Sequence, residues 1–178
     1  MKKEINVFDY ASEITKAIGK GVLITTKADE KVNSMTISWG MLGIEWGKPI
    51  FITFVREGRF TRTLLDKNPE FTVNIPIGTF DKKIIGLCGG KSGRSIDKVK
   101  ELNLTLVEGE EISVPAIKEL PLTLECKVIY KQLQDKNTIP DYIKENIYPS
   151  NIDSDNPMAN KDYHIAYYGE IVKAYIIE

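Results

Sequence analysis

Residues 49–76 read PIFITFVREGRFTRTLLDKNPEFTVNIP, in which two apolar runs flank a basic turn and a short amphipathic segment. The β-branched and aromatic residues of the runs IFITFV and FTVNIP predict two strands. Between the runs, Leu64 and Leu65 indicate the inward face of a helix, and Asn68-Pro69 is expected to end that helix. This stretch therefore predicts a strand, a short helix and a second strand.

Further extended segments lie on both sides of this stretch. Residues 21–26 and 32–39 are short β-branched and aromatic runs, with residues 43–49 expected as a connection, so consecutive antiparallel strands are predicted. Residues 120–132 and 164–177 alternate in polarity and predict the two longest strands. Many strands with short connections and no regular βαβ alternation predict a mainly β protein, an antiparallel barrel with peripheral helices, rather than a parallel doubly wound sheet.

Helices are predicted at three further places. The first apolar residues of the chain recur every three to four positions, which is typical of an amphipathic helix. A second short helix is expected over residues 79–88, and Ser95 is expected to cap a third over residues 96–102. Residues 134–162 are polar and contain several prolines, so they predict a surface excursion with one helical turn around residues 142–146.

Size and charge limit the classes of function. The chain has 178 residues and 20.1 kDa, which fits a single domain over residues 1–178. Its formal net charge of -1 gives no electrostatic case for binding nucleic acid or an anionic membrane, so a small-molecule ligand is expected. No apolar run reaches the roughly 18 residues of a membrane helix. Cys88 and Cys126 lack metal-site spacing, so we expect no metal and predict a cytoplasmic location with reduced thiols.

The strand NSMTISW, residues 33–39, combines strand formers with small hydroxyl and amide side chains. A flat heterocycle with polar groups around its rim would find backbone N–H and C=O groups there, together with side-chain partners at Asn33, Thr36 and Ser38. The same pattern is also typical of a half-buried strand whose polar side faces solvent. Composition leaves both interpretations open.

Two basic or glycine-rich segments are candidates for anion binding. In REGRFTRT, residues 56–63, the guanidinium groups of Arg56 and Arg59, the Thr61 hydroxyl and the free N–H groups of a helix start suit a phosphate monoester. The alternative is a solvated cationic turn. CGGKSGRS, residues 88–95, offers exposed N–H groups to an anion or is a plain turn between helices, and it lacks the spacing of a P-loop.

The single histidine, His164, lies at the start of the last predicted strand. No G-x-S-x-G nucleophile elbow accompanies it, so a hydrolytic triad is not favoured, and we expect either a satisfied structural histidine or a donor that lines the site. Cys88 would be reactive if the adjacent helix terminus lowered its pKa, and the alternative is a small buried hydrophobe.

The chain resembles the flavin reductase-like family, whose members bind FMN on a split β-barrel. The resemblance rests on three segments in order, which are NSMTISWGMLG, the stretch of residues 49–76 and LCGGKSGRSIDKVKELNL. It runs from about residue 21 through residue 128, and the C-terminal strand also fits. The resemblance implies an FMN-binding split barrel, and family members usually form homodimers with each flavin near the subunit interface.

The resemblance also implies roles for particular residues. In the family, the strand that matches residues 33–39 runs along the isoalloxazine and ribityl part of FMN, and these positions are Asn33, Ser34, Met35, Thr36, Ile37 and Ser38. The positions that match those near the phosphate are Arg56, Arg59 and Thr61. The family's S-G-R element, which lies close to the cofactor, corresponds to Lys91, Ser92, Gly93 and Arg94. The excursion at residues 134–162 departs most from the family pattern and leaves the substrate entrance open.

The resemblance predicts an FMN-dependent oxidoreductase in which NADH or NADPH reduces the bound flavin, and free flavin or another small molecule accepts the electrons. No residue is assigned a catalytic acid–base role. Because no G-x-G-x-x-G fingerprint occurs, the nicotinamide would bind transiently over the flavin. The alternative is a flavoredoxin-like electron-transfer protein that binds FMN and serves a redox protein partner without nicotinamide turnover. A third hypothesis is flavin storage or sensing.

Overall fold

The structure is a computed structural model that describes residues 1–149 and 162–178. The strands in these residues are β1 (Lys2–Glu4), β2 (Val22–Ala28), β3 (Lys31–Ile37), β4 (Gly40–Glu45), β5 (Lys48–Arg56), β6 (Glu70–Ile75), β7 (Leu106–Val107), β8 (Ala116–Ile117), β9 (Leu122–Leu133) and β10 (His164–Ile177). The helices are a 3-10 turn at Val7–Tyr10, α1 (Ala11–Ile18), α2 (Phe60–Leu65), α3 (Lys83–Gly90), α4 (Lys98–Glu101) and α5 (Asp141–Ile147).

Eight strands form one antiparallel sheet in the order β3-β2-β6-β9-β10-β5-β4, with β1 paired to β10, while β7 and β8 pair separately. The two outer strands, β3 and β4, are consecutive in the chain and are joined only by Ser38 and Trp39. Because this link is short, the sheet curls so that its outer strands, β3 and β4, come near each other. We call this place the seam. This mainly β, antiparallel architecture with peripheral helices confirms the predicted fold class.

β10 has three partner strands. Residues 164–170 pair with β5, residues 175–177 pair with β1, and β9 runs along the opposite edge. The β9–β10 register shifts beside Gly169, where a Cβ would lie 2.6 Å from the Phe71 ring and 2.8 Å from the Cβ of Cys126. Only glycine fits this close approach between neighbouring strands.

The interior of the curled sheet is apolar, with Phe51, Phe71 and Leu124 fully buried. α1 packs against this core through Ile14 and Ile18, which lie one helical turn apart. The predicted N-terminal amphipathic helix is thus confirmed, although a 3-10 turn forms its first part. None of the helices in the described ranges combines the length and the apolar character that a bilayer-crossing segment needs.

Two local predictions were wrong. Residues 43–49 are not a connection, because β4 and β5 form a tight hairpin whose turn is Trp46-Gly47, with φ of 52° and 69°. Tryptophan is an unusual residue for this left-handed backbone, so the turn has no recognisable sequence signal. Ser95 does not cap the third helix, since the Asp97 carboxylate accepts from the Lys100 backbone N–H at 3.2 Å and the Ser95 hydroxyl donates to the Ser92 carbonyl.

The other segments agree with the sequence-based predictions. The two longest strands are β9 and β10, and the helix after β5 is α2. The predicted second helix is α3, although it begins and ends later in the chain than the predicted range. The helical turn predicted in the excursion is α5, and residues 150–161 of that excursion lie outside the described residues.

Candidate functional site

A cavity of about 390 Å³ lies beside the seam between β3 and β4. One wall is the end of β3 with the linking residues Ser38 and Trp39. The opposite walls come from the end of β5, the end of α3, the start of β10 and the segment that ends α5. The cavity therefore combines the predicted heterocycle-binding strand with part of the excursion.

A recess of about 20 Å³ adjoins this cavity, and Met35, Arg59 and Gly89 line both. The remaining recess residues come from β3, α2, α3, α4 and the loop between α3 and α4, and they are Asn33, Phe60, Thr61, Cys88, Lys91, Ser92, Gly93 and Lys98. Residues from all three predicted segments thus meet at the recess, although they are far apart in the sequence.

The floor of the recess contains a buried amide with an unsatisfied polar atom. Asn33 and Thr61 are 3% and 1% exposed, and Asn33 Nδ2 donates to Thr61 Oγ1 at 3.0 Å. Asn33 Oδ1 has no partner among the described residues. Exchanging the amide oxygen and nitrogen would satisfy the oxygen with the Thr61 hydroxyl and leave N–H donors free instead, so either orientation leaves a polar group for a ligand.

Gly93 allows the loop between α3 and α4 to approach this amide. A Cβ at Gly93 would overlap Asn33 Oδ1 and would lie 2.9 Å from the Phe60 ring. The loop is tied to the opposite wall by Arg94, which donates to the Gly58 carbonyl at 2.9 Å and lies over the Phe60 ring. Glycine at position 93 therefore sets how tightly the recess is enclosed.

Lys98 is a buried cation at the recess that the sequence analysis missed. It is 4% exposed, and its Nζ donates to the backbone carbonyls of Ser34 and Cys88, each at 2.9 Å. An ammonium group has three N–H donors, so one remains for a ligand. Burial is the main reason that the pKa of Lys98 is lowered, and the charge of Arg59 lowers it further. In the sequence, nothing distinguishes Lys98 from the neighbouring Lys100.

Arg59 lies where the cavity and the recess meet. No ion pair within residues 1–149 and 162–178 engages its guanidinium group, whereas Arg56 pairs with Asp162 at 3.5 Å. Burial and the charge of Arg56 lower the pKa of Arg59, and Asp162 acts in the opposite direction. Two neighbouring guanidinium groups and the buried Lys98 make this part of the cavity strongly cationic.

Some of the predicted site residues do not present their side-chain hydroxyl groups to a ligand. The Ser34 hydroxyl is buried against the Thr25 hydroxyl at 2.8 Å, so only the backbone carbonyl of Ser34 reaches the recess, through Lys98. Thr36 lines the cavity, but its hydroxyl donates to the Ile85 carbonyl at 2.6 Å. A run of consecutive strand residues cannot present every side chain to one ligand, because successive side chains point to opposite faces.

His164 in the cavity wall belongs to a cluster that we call the rim, formed by Gln134, Tyr148 and His164. The Tyr148 hydroxyl is 3.0 Å from Gln134 Oε1 and 2.9 Å from His164 Nδ1. The His164 ring packs on Trp39 with 4.6 Å between ring centroids. These contacts hold the end of α5 against β10, which places part of the excursion over the cavity.

The thiol of Cys88 is buried between the recess and the core. Burial raises the pKa of this thiol to about 11, against a smaller opposite effect of Lys98. The structure thus supports the interpretation of Cys88 as a buried hydrophobe rather than a reactive cysteine. Within the described part of the chain, no three His, Cys, Asp or Glu side chains are grouped so that they would hold a metal ion.

A second cavity, of about 730 Å³, lies between α1, α3 and the loop after β6. It is larger than the first cavity and contains none of the predicted site residues. Its charged side chains, which include Lys16, Lys20 and Lys82, are exposed, and its interior surface is mostly apolar. No buried polar group is left unsatisfied in its described lining, so it lacks the feature that marks the recess.

Comparison with known proteins agrees with this architecture. Residues 17–178 match the flavin reductase like domain. An uncharacterized protein of Archaeoglobus fulgidus is 33% identical over 131 residues, which are 72% of this chain and 69% of that protein. The flavoredoxin of Desulfovibrio vulgaris (Miyazaki F) has a TM-score of 0.65 and 22% identity, covering 89% of this chain and 69% of that one. The NADH:FAD oxidoreductase SgcE6 of Streptomyces globisporus C-1027 has a TM-score of 0.60 and 18% identity, covering 88% and 75%.

The chain therefore belongs to the flavin reductase-like family, as the match of the family model to residues 17–178 shows. This confirms the resemblance that the sequence segments indicated. The structural similarity at these low identities confirms the split-barrel fold, with the seam between β3 and β4 as its open side. Membership of this family associates the chain with flavin redox chemistry.

Proposed function

We propose that this protein binds FMN, with the phosphate in the recess and the isoalloxazine ring in the adjoining cavity. The observation that carries this proposal is the set of polar groups with unused hydrogen-bonding capacity at the recess. Lys98 and Arg59 each have donors that no described carboxylate engages, and the Asn33 amide has an unsatisfied atom.

The charge balance of the recess favours a phosphate group. Its lining includes Arg59, Lys91 and Lys98 and contains no carboxylate. Burying a cation without a counter-charge is costly, and a bound dianion would offset that cost. A phosphate monoester would also accept from the remaining ammonium N–H and from the Thr61 or Asn33 side chain.

The cavity suits the ring system of a flavin. Its volume of about 390 Å³ is within the range of small-molecule sites, and the backbone of β3 offers N–H and C=O groups along one wall. A bound flavin supplies the redox chemistry, so the residues of this chain need only bind, orient and shield it. The proposed role of the β3 segment is thus to hold the polar edge of the ring.

We further propose that NADH or NADPH is the electron donor and that free flavin or another small molecule is the acceptor. The support is the structural similarity to a protein described as an NADH:FAD oxidoreductase. A second candidate is an FMN-carrying electron-transfer protein that serves a redox protein partner. It is supported by the similarity to flavoredoxin and by the missing dinucleotide fingerprint.

FMN binding is tested by the absorption spectrum of the purified protein, by mass analysis of any released chromophore, and by titration with FMN and riboflavin. Arg59→Ala should weaken FMN binding by about tenfold, because a charge-assisted hydrogen bond to phosphate is lost. Riboflavin has no phosphate and serves as the matched ligand control. Equal losses for the two ligands would contradict the phosphate assignment, and a protein that binds neither would contradict the function.

The two electron-transfer hypotheses are separated by stopped-flow mixing of the FMN-loaded protein with NADH and with NADPH. Rapid bleaching of the flavin absorption supports the reductase. If bleaching by both donors is negligible while dithionite still bleaches the flavin, the electron carrier is supported instead.

We also propose that the protein is a homodimer and functions in the cytoplasm. Met41 and Trp46 are exposed on the β4–β5 hairpin, and Trp46 contacts the half-exposed Tyr130 ring, so these residues form an apolar patch on one face of the sheet. Contiguous exposed apolar surface is typical of an interface. Sedimentation should give twice the monomer mass for the wild type, and Met41→Glu, which places a charge in the patch, should give the monomer.

A further inference from the structure

The rim fixes the tautomer of His164. Gln134 Oε1 accepts from the His164 backbone N–H at 3.3 Å, which identifies this amide atom as the oxygen. The Tyr148 hydroxyl therefore donates its single hydrogen to Gln134 Oε1, at 3.0 Å. The hydroxyl oxygen is then the acceptor for His164 Nδ1, at 2.9 Å, so Nδ1 carries the proton.

The second ring nitrogen, Nε2, is consequently an acceptor. In a neutral imidazole only one nitrogen carries hydrogen, and no described residue bonds Nε2. The His164 side chain is 7% exposed and forms part of the cavity wall. The sequence predicted either a structural histidine or a donor at position 164, whereas the hydrogen bonds make His164 an acceptor toward the cavity.

The charges around the ring keep it neutral. Arg56 and Arg59 face it from the end of β5 and the following turn, Asp162 precedes it, and Tyr148 and Tyr163 are the other nearby titratable groups. Burial, followed by the charge of Arg56, lowers the pKa of His164 to about 4, although Asp162 acts in the opposite direction. Near neutral pH the ring therefore has no second proton to donate.

We propose that His164 Nε2 accepts a hydrogen bond from an N–H group of the molecule in the cavity, which makes His164 a specificity-determining residue for ligands with an imide or carboxamide N–H. This inference rests on the proposed flavin function. Two molecules of that function carry such a group: the isoalloxazine ring has one imide N–H, at N3, and the nicotinamide has a carboxamide. The chemistry is the same in both cases, and the experiment distinguishes the sources.

The test compares ligand pairs that differ in this N–H. The first pair is FMN and 3-methyl-FMN, measured by fluorescence titration of the full-length protein. The second pair is NADH and reduced 3-acetylpyridine adenine dinucleotide, in which an acetyl group replaces the carboxamide, measured by flavin reduction. We expect the wild type to discriminate about tenfold within one pair.

His164→Asn and His164→Gln form a matched set of variants. Asparagine keeps an amide N–H near the position of Nδ1 for Tyr148 but has no group at the position of Nε2, whereas the longer glutamine side chain returns an acceptor there. Asparagine should reduce the discrimination about tenfold, to near one, and glutamine should restore part of it. Tyr148→Phe removes the group that fixes the tautomer and should reduce the discrimination without removing the imidazole.

The outcomes distinguish the flavin imide from the nicotinamide carboxamide as the donor, and both from the absence of a role for His164. Discrimination within the FMN pair that disappears in His164→Asn identifies the flavin imide as the donor, and the same result within the dinucleotide pair identifies the carboxamide. If FMN binds but neither discrimination changes in His164→Asn, the inference about His164 is overturned while the proposed function stands. If the wild type binds no FMN, the proposed function is overturned and the inference with it.

Discussion

The recess and the rim, which both border one cavity, satisfy their polar groups in opposite ways. At the recess, Asn33 and Lys98 are almost fully buried and still have unused hydrogen-bonding capacity. At the rim, Gln134 and Tyr148 bond to each other and to His164, which leaves one acceptor for a ligand. The recess is therefore built for a charged group and supplies affinity, whereas the rim supplies selectivity.

The largest expected effect is that of removing the buried charge at the recess. Lys98→Met should weaken FMN binding by about 30- to 100-fold, because a charge-assisted hydrogen bond in a buried site is lost. Lys100→Met is the matched control, since Lys100 lies on the same helix, is exposed and pairs with Asp97 at 3.5 Å. Isothermal titration calorimetry with FMN measures both variants. Equal affinities for the two variants would remove Lys98 from the site.

A smaller effect is expected from widening the recess without changing its charge. Gly93→Ala should weaken FMN binding by about tenfold, because the added Cβ overlaps Asn33 Oδ1 and pushes the loop outward. Gly90→Ala is the control at the end of α3, three residues before Gly93, where a Cβ would meet nothing within 4 Å. Fluorescence titration compares the two. If both alanines bind FMN like the wild type, the recess is not enclosed as tightly as the structure indicates.

At the rim, the expected change is in local order more than in affinity. Tyr148→Phe removes the hydroxyl that joins Gln134 to His164, so amide hydrogen exchange over residues 141–149 should become faster. FMN affinity should change less than about threefold, since the recess is untouched. Tyr142→Phe, at an exposed position of α5, is the control. A loss of FMN affinity as large as that of Lys98→Met would contradict the division of roles between the recess and the rim.

A last expected effect concerns the pH dependence of stability rather than ligand binding. The folded-state pKa of His164, about 4, is below the ordinary value of 6.5, so between these values the unfolded chain binds the proton more readily. The stabilisation contributed by neutral His164 is thus fully present above about pH 6.5 and is lost as the pH falls toward 4. Urea denaturation should show a shallower fall in the free energy of unfolding for His164→Gln than for the wild type. Parallel pH profiles would contradict the assigned pKa shift.

Much of the fold was predictable because strand signals are local. The runs that became β2, β5 and β6 have β-branched and aromatic residues bounded by turn residues, and such patterns need no tertiary information. β4 was missed because its hairpin turn has Trp46 in a left-handed conformation, which the tertiary structure imposes.

The candidate site was predictable only in part, because some of its features are local sequence signals and others depend on the tertiary structure. Arg59 and Gly93 were found because basic and glycine-rich segments are visible in the sequence. Lys98 was not, since its burial depends on backbone carbonyls of β3 and α3 that only the folded chain brings near it. Strand alternation alone predicts that the Ser34 side chain points to the opposite face from Asn33. The family resemblance assigns roles by position and gives no side-chain direction.

The pairing of β10 also has a consequence for biosynthesis. The three partner strands, β1, β5 and β9, all precede β10 in the chain, so the ribosome synthesises all three before β10. Until residues 164–177 leave the exit tunnel, the nascent polypeptide exposes unpaired strand edges and its first strand has nothing to pair with. Assembly of the sheet is therefore a late, long-range event, because β10 must join strands that are distant from it in the sequence.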